Sequence, residues 1–417
     1  MENMIIKDII SQHAEEAAFL WLLRDAAVRQ PHYDLKDLSA LDERVEAHID
    51  GLRIAGDEGW EVCKEVLLFQ DSGEVFAASV LAFESGNEDR IQSLKDMVIE
   101  TPELNRGMIS ALAWLSYPQA KDAIQDCLHS EKPLIRQVGI VASALHRQNP
   151  GLFLKEALAD PNPFLRARAL KAVGELNQNN LLPEVMANAQ DEDANCRFYA
   201  AWTGLLLREA STIPILQSFV ETGGHHAEQA LSLLLRRMRI DEAHQFQRSL
   251  AQQTETKRLS VQALGMIGDP STIDLLFEHM SIPELSRVAG EAFSMVTGLD
   301  IAYESLETEW PEGFEAGPTE SPDDDDVTMD ADEDLCWPDI NQLKQWWGKN
   351  KHYYKNKTAY LCGKSKTLDG LTTVLKTGFQ RQRAAAALEL TIRQPDIPLF
   401  ETRAPARRQL SLLTRDS

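Results

Sequence analysis

The chain has 417 residues, a length at which single hydrophobic cores usually stop growing, so it forms several domains or one elongated array. Its hydrophobic fraction of 43% indicates a folded protein, and its net charge of −23 opposes general binding to nucleic-acid phosphates or anionic lipid. Aromatic residues make up only 7%, while Ala and Leu are abundant. This balance favours helices, because Ala and Leu lose little entropy on entering one.

Cysteine usage and the opening residues bear on the compartment. The five cysteines form no CxxC or CxxxC pair, so neither a zinc site nor a disulfide framework is indicated. We expect buried free thiols in a reducing environment. The opening MENMIIKDII lacks the basic region and apolar core of a secretory signal, and no apolar run approaches the ~20 residues of a membrane span. The sequence therefore predicts a cytoplasmic protein.

A pair of helices is predicted at the start of the chain. Apolar residues at helical spacing predict a first helix over 7–30. Ser39, with Asp42 three residues later, is close to a capping box and predicts the start of a second helix, which Gly51 and Gly56 weaken or end. We expect the two helices to form an antiparallel hairpin that caps an array.

A sequence unit of about thirty residues recurs over 59–300. Each copy runs from a polar or basic residue through small residues to an Ala-Leu-Gly-like triplet, a turn and a Leu-rich stretch. The aligned small positions, with one degenerate copy near Leu233, are Ala111, Ala142, Ala172, Thr203, Ala263 and Ala292. This period is typical of two short helices with tight turns, so the sequence predicts an all-α fold, an α-solenoid of helical hairpins.

An arginine stands near the start of most copies. Two interpretations remain open for these residues. They could form a row along one face that binds an acidic partner, or they could make repeated salt bridges to neighbouring helices. The arginines are Arg106, Arg136, Arg166, Arg197 and Arg258.

Composition changes sharply after the repeats. Residues 302–336 contain 14 acidic residues and no Lys or Arg, with a run of four acids at Asp323–Asp326. We interpret 301–336 as an acidic disordered loop, and expect residues 310–334 to be mobile and dispensable for folding. The Asp run lacks the ordered spacing of a calcium loop, which opposes a metal site.

A basic and aromatic stretch follows the acidic one. Residues 340–366 contain seven Lys and no acid, interleaved with Trp and Tyr. Such a pattern can bind single-stranded nucleic acid through phosphate contacts and stacking. The alternative, which we favour, is that the rings pack under the last repeats while the lysines face water. The residues concerned are Trp346, Trp347, Lys349, Lys351 and Tyr353.

Four segments are therefore predicted. They are an N-terminal helical cap (1–58), a repeat solenoid (59–300), the acidic loop (301–336), and the basic-aromatic segment with a C-terminal repeat (337–417). The last assignment depends on Gln380-Arg381-Gln382-Arg383 followed by AAAALEL, which resumes the repeat pattern. We expect residues 367–400 to complete the solenoid, with the acidic and basic stretches as an insertion.

The repeats resemble HEAT-like repeats of the phycobilisome-lyase type, especially at Ala263-Leu264-Gly265 followed by Gly268-Asp269-Pro270. Most of the chain also resembles an uncharacterised family of bacterial HEAT-repeat proteins. That resemblance lies in EEAAFLWLLRDAAVRQPHYDLKDLSALDERVEAHIDGL, VTGLD, the Trp pair, RQRAAAALEL and LFETRAPARRQ. Some members of that family are associated with type VI secretion loci. The resemblance implies an accessory role there, as effector adaptor, chaperone or immunity protein, and supplies no catalytic residue.

The sequence favours a non-enzymatic protein–protein interaction scaffold. It contains no GxSxG, HExxH, GxxxxGK[ST] or GxGxxG motif, and we expect no cofactor or metal. The acidic balance predicts a protein partner with a basic surface, such as a secreted effector, and no membrane. One alternative is a HEAT-like protein that binds nucleic acid through residues 340–366, although 45 acids and 27 bases in residues 1–301 oppose it. Another is a structural scaffold of a secretion assembly.

Overall fold

In a computed structural model of the chain, the structure describes residues 6–317, 329–355 and 357–415. These residues form 22 α-helices and one short antiparallel hairpin, so the predicted all-α fold of helical hairpins is confirmed. The chain divides into two compact units. Unit 1 comprises Met1–Thr212 with Pro395–Ser417, and unit 2 comprises Ile213–Gln394. These borders differ from those of the four predicted segments.

Unit 1 contains the first twelve helices and one that follows unit 2 in the chain. Short 3-10 turns at Leu67–Phe69, Pro102–Leu104, Asn179–Leu181 and Ala210–Thr212 connect some of them. The helices are α1 (Lys7–Ala27), α2 (Leu35–Ala55), α3 (Asp57–Val66), α4 (Ser72–Ser85), α5 (Glu88–Glu100), α6 (Asn105–Trp114), α7 (Tyr117–Leu128), α8 (Pro133–Leu145), α9 (Leu152–Ala157), α10 (Pro163–Glu175), α11 (Leu182–Met186), α12 (Ala194–Leu206) and α22 (Ala406–Arg415).

Unit 2 contains the remaining helices and the hairpin. Two 3-10 turns occur in it, at Pro270–Thr272 and Lys351–Tyr353. The elements are α13 (Ile213–Thr222), α14 (Ala227–Arg237), α15 (Ile240–Leu250), α16 (Lys257–Ile267), α17 (Ile273–Met280), α18 (Pro283–Thr297), α19 (Ile340–Asn350), β1 (Tyr360–Leu361), β2 (Lys364–Ser365), α20 (Leu368–Thr377) and α21 (Gln380–Arg393).

The repeated small residues lie on helices that pack on one another within each unit. All six are at most 3% exposed, and they fall on α6, α8, α10, α12, α16 and α18. A Cβ added to Gly265 of α16 would lie 2.9 Å from the Cα of Ala292 on α18. A larger side chain would push these helices apart. The period found in the sequence is therefore the spacing between successive packed helices, such as α6, α8, α10 and α12 of unit 1.

The start of α2 differs from the prediction. The helix begins four residues before Ser39, because the Asp34 side chain already accepts hydrogen bonds from the first backbone N–H groups. Gly51 does not end the helix either. A Cβ there would lie 2.6 Å from the ring of His13, so this glycine permits the close approach of α1 and α2. The helix ends at Gly56, where φ is 61°.

The residues after the acidic run are docked in unit 2. Asp332 is 5% exposed, and its two carboxylate oxygens accept hydrogen bonds from Arg258 at 2.6 and 2.5 Å. Asp330 accepts two from Arg287 of α18, at 2.7 and 2.9 Å. This differs from the disordered loop that composition suggested, because two arginines of the repeats take their carboxylate partners from this segment. Asp323–Asp326 lie outside the described residues.

The residues before the acidic run are held by aromatic packing. The ring centroid of Trp337 lies 5.3 Å from that of Trp310 and 5.1 Å from that of Phe314. The guanidinium of Arg287 lies 4.9 Å from the Trp337 ring centroid and 5.1 Å from that of Trp310. The segment thus has the apolar anchors that a count of its acids overlooks.

We expect Asp332→Asn to lower the free energy of unfolding by about 2–3 kcal/mol, because it removes two charge-assisted hydrogen bonds from a buried site. Asp334→Asn, two residues further on and exposed, should change it by less than ~0.5 kcal/mol. Urea unfolding of both variants measures the difference, and equal losses would contradict the docking of Asp332.

Candidate functional site: the return groove

The repeat arginines of unit 1 donate hydrogen bonds to acceptors in the same chain. Arg166 donates to both carboxylate oxygens of Asp191, at 2.9 and 3.1 Å, and to the carbonyl of Asp160 at 2.7 Å. Arg136 donates to the Asp160 carboxylate at 2.6 Å. Asp160 and Asp191 lie just before α10 and α12, so each arginine joins its own repeat to the next. This favours the salt-bridge interpretation over an arginine face for an acidic partner.

The other three arginines are used in similar ways. Arg197 donates to the carbonyls of Asp191 and Glu192, at 2.6 and 3.3 Å. Arg106 lies 3.4 Å from the carboxylate of Asp25 and over the ring of Trp21, and about half of its side chain is exposed. Arg258 of unit 2 donates to the carboxylate of Asp332.

The basic-aromatic segment divides by residue type. Trp346 and Trp347 of α19 pack edge-on against Phe293 of α18, with centroid distances of 5.9 and 6.4 Å. Both tryptophans are half-buried. The remaining candidates are exposed, and they are Lys349, Lys351 and Tyr353. The tryptophans therefore contribute to the core of unit 2, whereas the lysines face solvent.

We expect Trp346→Ala to lower the free energy of unfolding by about 2 kcal/mol, less than for a fully buried ring. The double variant Lys349→Glu/Lys351→Glu should change it by less than ~0.5 kcal/mol, because both side chains are exposed. Thermal and urea melts of the two variants test this. A larger loss for the lysine variant would show that those cations are structural.

Residues 395–415, here called the return segment, lie across unit 1 from α10 to α2. The Leu399 nitrogen donates to the Glu175 carbonyl at 3.0 Å, and the Leu399 carbonyl accepts from Arg147 at 2.6 Å. Further along, the Ala404 carbonyl accepts from Arg24 of α1 at 2.9 Å. The segment then enters α22, which packs on α2. We call the surface of unit 1 beneath it the return groove. The repeat pattern in the sequence instead predicts a C-terminal repeat within 337–417.

Two helices, α6 and α8, end at the return groove, and their terminal carbonyls bind two arginines of the return segment. Arg408 donates to the carbonyl of Leu145 at 3.1 Å, at the end of α8, and to those of Ala113 and Leu115 at the end of α6. Arg407 donates to the Trp114 carbonyl at 2.7 Å. The C-terminal end of a helix carries partial negative charge, and its last carbonyls lack partners within the helix. A cationic side chain suits this position, because it neutralises the partial charge and donates to the unpaired carbonyls.

A buried ion pair anchors the middle of the return segment. Arg24 and Asp42 are 7% and 9% exposed, and their side chains form a 2.9 Å salt bridge. The second oxygen of Asp42 accepts from the Ala406 nitrogen at 2.6 Å, at the first turn of α22. Arg24 also donates to the Arg403 carbonyl at 2.6 Å. A carboxylate at a helix N-terminus and a guanidinium on carbonyls are both favourable placements.

A second ion pair lies nearer α10. The Glu401 carboxylate accepts from Arg403 at 2.9 Å and from Arg147 at 3.4 Å. Burial by itself would raise the pKa of Glu401, but the charges of Arg403 and Arg147 outweigh it and hold the pKa far below its usual range. Glu401 therefore stays ionised in the folded protein.

A polar cleft of about 480 Å³ opens beside the return segment. Within it Arg53 donates to both carboxylate oxygens of Glu84 at 2.8 Å and to Glu46 at 2.7 Å. Arg407, whose side chain is 57% exposed, lies 3.9 Å from Glu46. The full lining is Glu46, Arg53, Phe83, Glu84, Leu115, Gln119 and Arg407.

The return segment and the rest of unit 1 carry net charges of opposite sign. Residues 395–415 contain four Arg and two acids, whereas residues 1–212 contain 34 acidic and 20 basic residues. The acidic balance of unit 1 thus attracts the basic part of the return segment. This clustering of arginines was the signal in the sequence that could have revealed the groove.

His146 makes the return groove sensitive to pH. Its Nε2 lies 2.8 Å from the Leu112 carbonyl, and burial, reinforced by the charge of Arg408, lowers its pKa from 6.5 to about 4. Because the pKa of His146 is lower in the folded protein than in the unfolded chain, protons bind preferentially to the unfolded chain below pH 6.5. The folded protein therefore has its full stability above pH 6.5 and loses stability as pH falls towards 4.

We expect unit 1 to lose about 2 kcal/mol of unfolding free energy between pH 7 and pH 5 through this histidine alone. His146→Gln cannot take up the proton and should show a correspondingly smaller loss. Urea unfolding of both proteins at the two pH values measures the difference. Identical pH dependences would show that His146 titrates as an ordinary histidine.

Comparisons with known proteins identify no family: the chain matches no family model, and no curated protein matches its sequence. Among the described residues, no group of three or more His, Cys, Asp or Glu side chains is placed to hold a metal ion. No helix in those parts of the chain is both long and apolar enough to cross a membrane.

Proposed function

We propose that this chain is a non-enzymatic protein-binding scaffold whose partner presents a basic, arginine-bearing segment. The observation that carries the proposal is the return groove, which already binds such a segment of the same chain through helix-end carbonyls and the buried carboxylate of Asp42. Stacked hairpins bring several helix C-termini to one edge. Guanidinium groups, with donors in a rigid fork, are suited to such arrays of carbonyl oxygens.

The charge of the protein supports the same kind of partner. A net charge of −23 speeds encounter with basic proteins at low salt and disfavours nucleic acid. The resemblance to the bacterial HEAT-repeat family adds a more specific proposal. In that setting the protein acts in the cytoplasm as a type VI secretion accessory, and its partner is a secreted effector with a basic surface.

A second candidate function is nucleic-acid binding, favoured by one observation. Tyr353 is 69% exposed and lies next to exposed lysines, including Lys351. Stacking on a single tyrosine with a few lysines would give weak binding that falls steeply with salt. Lysine-dependent binding to single-stranded DNA at physiological salt, lost in Lys349→Glu/Lys351→Glu, would make this the leading function.

Quantitative capture from the source cell tests the scaffold proposal. The wild-type chain should retain a stoichiometric basic protein at low salt and lose it as salt rises. Neutralising the cleft with Glu46→Gln/Glu84→Gln should weaken capture. Asp89→Asn, which lines a different cleft on α5, is the matched control and should leave capture unchanged. Retention of nucleic acid alone, or equal capture by every variant, would contradict the proposal.

A further inference from the structure

We infer that the return groove is a competitive docking site, in which an arginine-pair segment of a partner protein replaces the return segment. This inference rests on the proposed function. The occupant is an extended chain that leads into a short helix beginning with two adjacent arginines. In the proposed complex this segment is bound by Asp42, Arg24 and the C-terminal ends of α6 and α8.

The groove recognises mainly backbone and guanidinium groups. Leu399 is held through its N–H and carbonyl, Ala404 through its carbonyl, and Ala406 through its N–H. The contacts of Arg407 and Arg408 also go to backbone carbonyls. Such contacts do not depend on most side chains of the return segment. A foreign segment of the same backbone course and with the same arginine pair can therefore make them.

The return segment has few large apolar anchors. Leu413 is its one large apolar side chain under 10% exposed among the described residues, whereas Leu410 and Leu412 of α22 are 43% and 44% exposed. Its other buried side chains are small or polar, and they include Thr402, Ala404, Ala406 and Gln409. Opening this segment therefore exposes little apolar surface, and a competitor that makes the same backbone and arginine contacts restores the polar ones. The return segment is thus suited to exchange for a competitor.

The pair must be arginine rather than lysine. The guanidinium of Arg408 reaches carbonyls on two helices, Leu145 at the end of α8 and Leu115 beyond the end of α6. A lysine ammonium is a compact point charge without this planar fork. Basic charge alone would be drawn to unit 1, but it would not bridge the two helix ends.

Attachment in the same chain sets the affinity that a competitor must overcome. A tethered segment acts at an effective concentration on the order of millimolar. A free peptide therefore binds the intact protein weakly, and weakening the return segment should uncover tighter binding, because more of the protein is then competent to bind.

The test uses the full chain and a labelled synthetic peptide of residues 395–415, with binding followed by fluorescence anisotropy. Peptide affinity for the full-length Arg408→Ala protein should exceed that for the wild type by about tenfold or more. If the remaining contacts hold the segment, Arg407→Ala/Arg408→Ala serves as the second variant. Hydrogen exchange should show faster exchange in residues 395–415 of these variants, with circular dichroism unchanged.

Two matched peptides establish the chemistry. A peptide with both arginines replaced by lysine should bind the Arg408→Ala protein about tenfold more weakly, and a scrambled peptide should not bind measurably. The inference is overturned if both protein variants bind the peptide no better than the wild type, or if lysine and arginine peptides bind equally. A dimer formed by exchange of return segments, seen by light scattering, would make a second copy the occupant instead. Partner capture that persists while the peptide fails would leave the scaffold proposal standing and remove only this site.

Discussion

Replacing Glu389 by Gln should lower the free energy of unfolding of unit 2 by about 3–5 kcal/mol. Glu389 of α21 is 2% exposed and accepts from the Lys366 ammonium at 2.8 Å. The guanidinium of Arg236 lies 3.7 Å away, and the side chains of Lys366 and Arg236 are 7% and 3% exposed. A neutral amide would leave two buried cations without a nearby carboxylate, which is the costly way to break a buried ion pair.

The pKa of Glu389 gives the same prediction a pH dependence. Burial would raise this pKa, but Lys366 and Arg236 outweigh it, so the pKa lies below its ordinary value of 4.5. The contribution of ionised Glu389 to the free energy of unfolding is fully present above pH 4.5 and is lost as pH falls through the folded pKa. Urea unfolding with hydrogen exchange resolved by unit measures the effect. Glu284→Gln, an exposed site in the same unit, is the control, and a loss for Glu389→Gln as small as the control's would contradict the prediction.

Asp42→Asn should have an effect of similar size on unit 1, about 3–5 kcal/mol. The change leaves Arg24 buried without its carboxylate and weakens the acceptor for the Ala406 nitrogen. Unlike the Glu389 variant, it should also speed hydrogen exchange throughout the return segment. Glu43→Gln is the matched control, because that neighbouring side chain is exposed. Destabilisation without faster exchange in residues 395–415 would mean that Asp42 supports α1 and α2 alone.

The helices and their register could be read from the sequence because the information is local. The small residues at a thirty-residue period, such as Ala111 and Ala142, lie at the predicted helix contacts. The return groove could not be read in this way. Asp42 and Ala406 are 364 residues apart in the chain, and composition does not indicate which distant carbonyls an arginine will meet. The prediction of disorder for the acidic segment differs from the structure for a related reason. The number of acids cannot show that Asp330 and Asp332 form hydrogen bonds with arginines.

The order of synthesis gives the return segment a consequence for how the protein matures. The ribosome makes residues 1–212, then all of residues 213–394, and only afterwards the residues that complete unit 1. At about 5–20 residues per second, this delay is on the order of 10–40 s. During that time Asp42 and the ends of α6 and α8 lack the groups that cover them in the finished protein. A nascent unit 1, which is acidic overall, therefore exposes its return groove to any basic chain nearby before its own segment emerges.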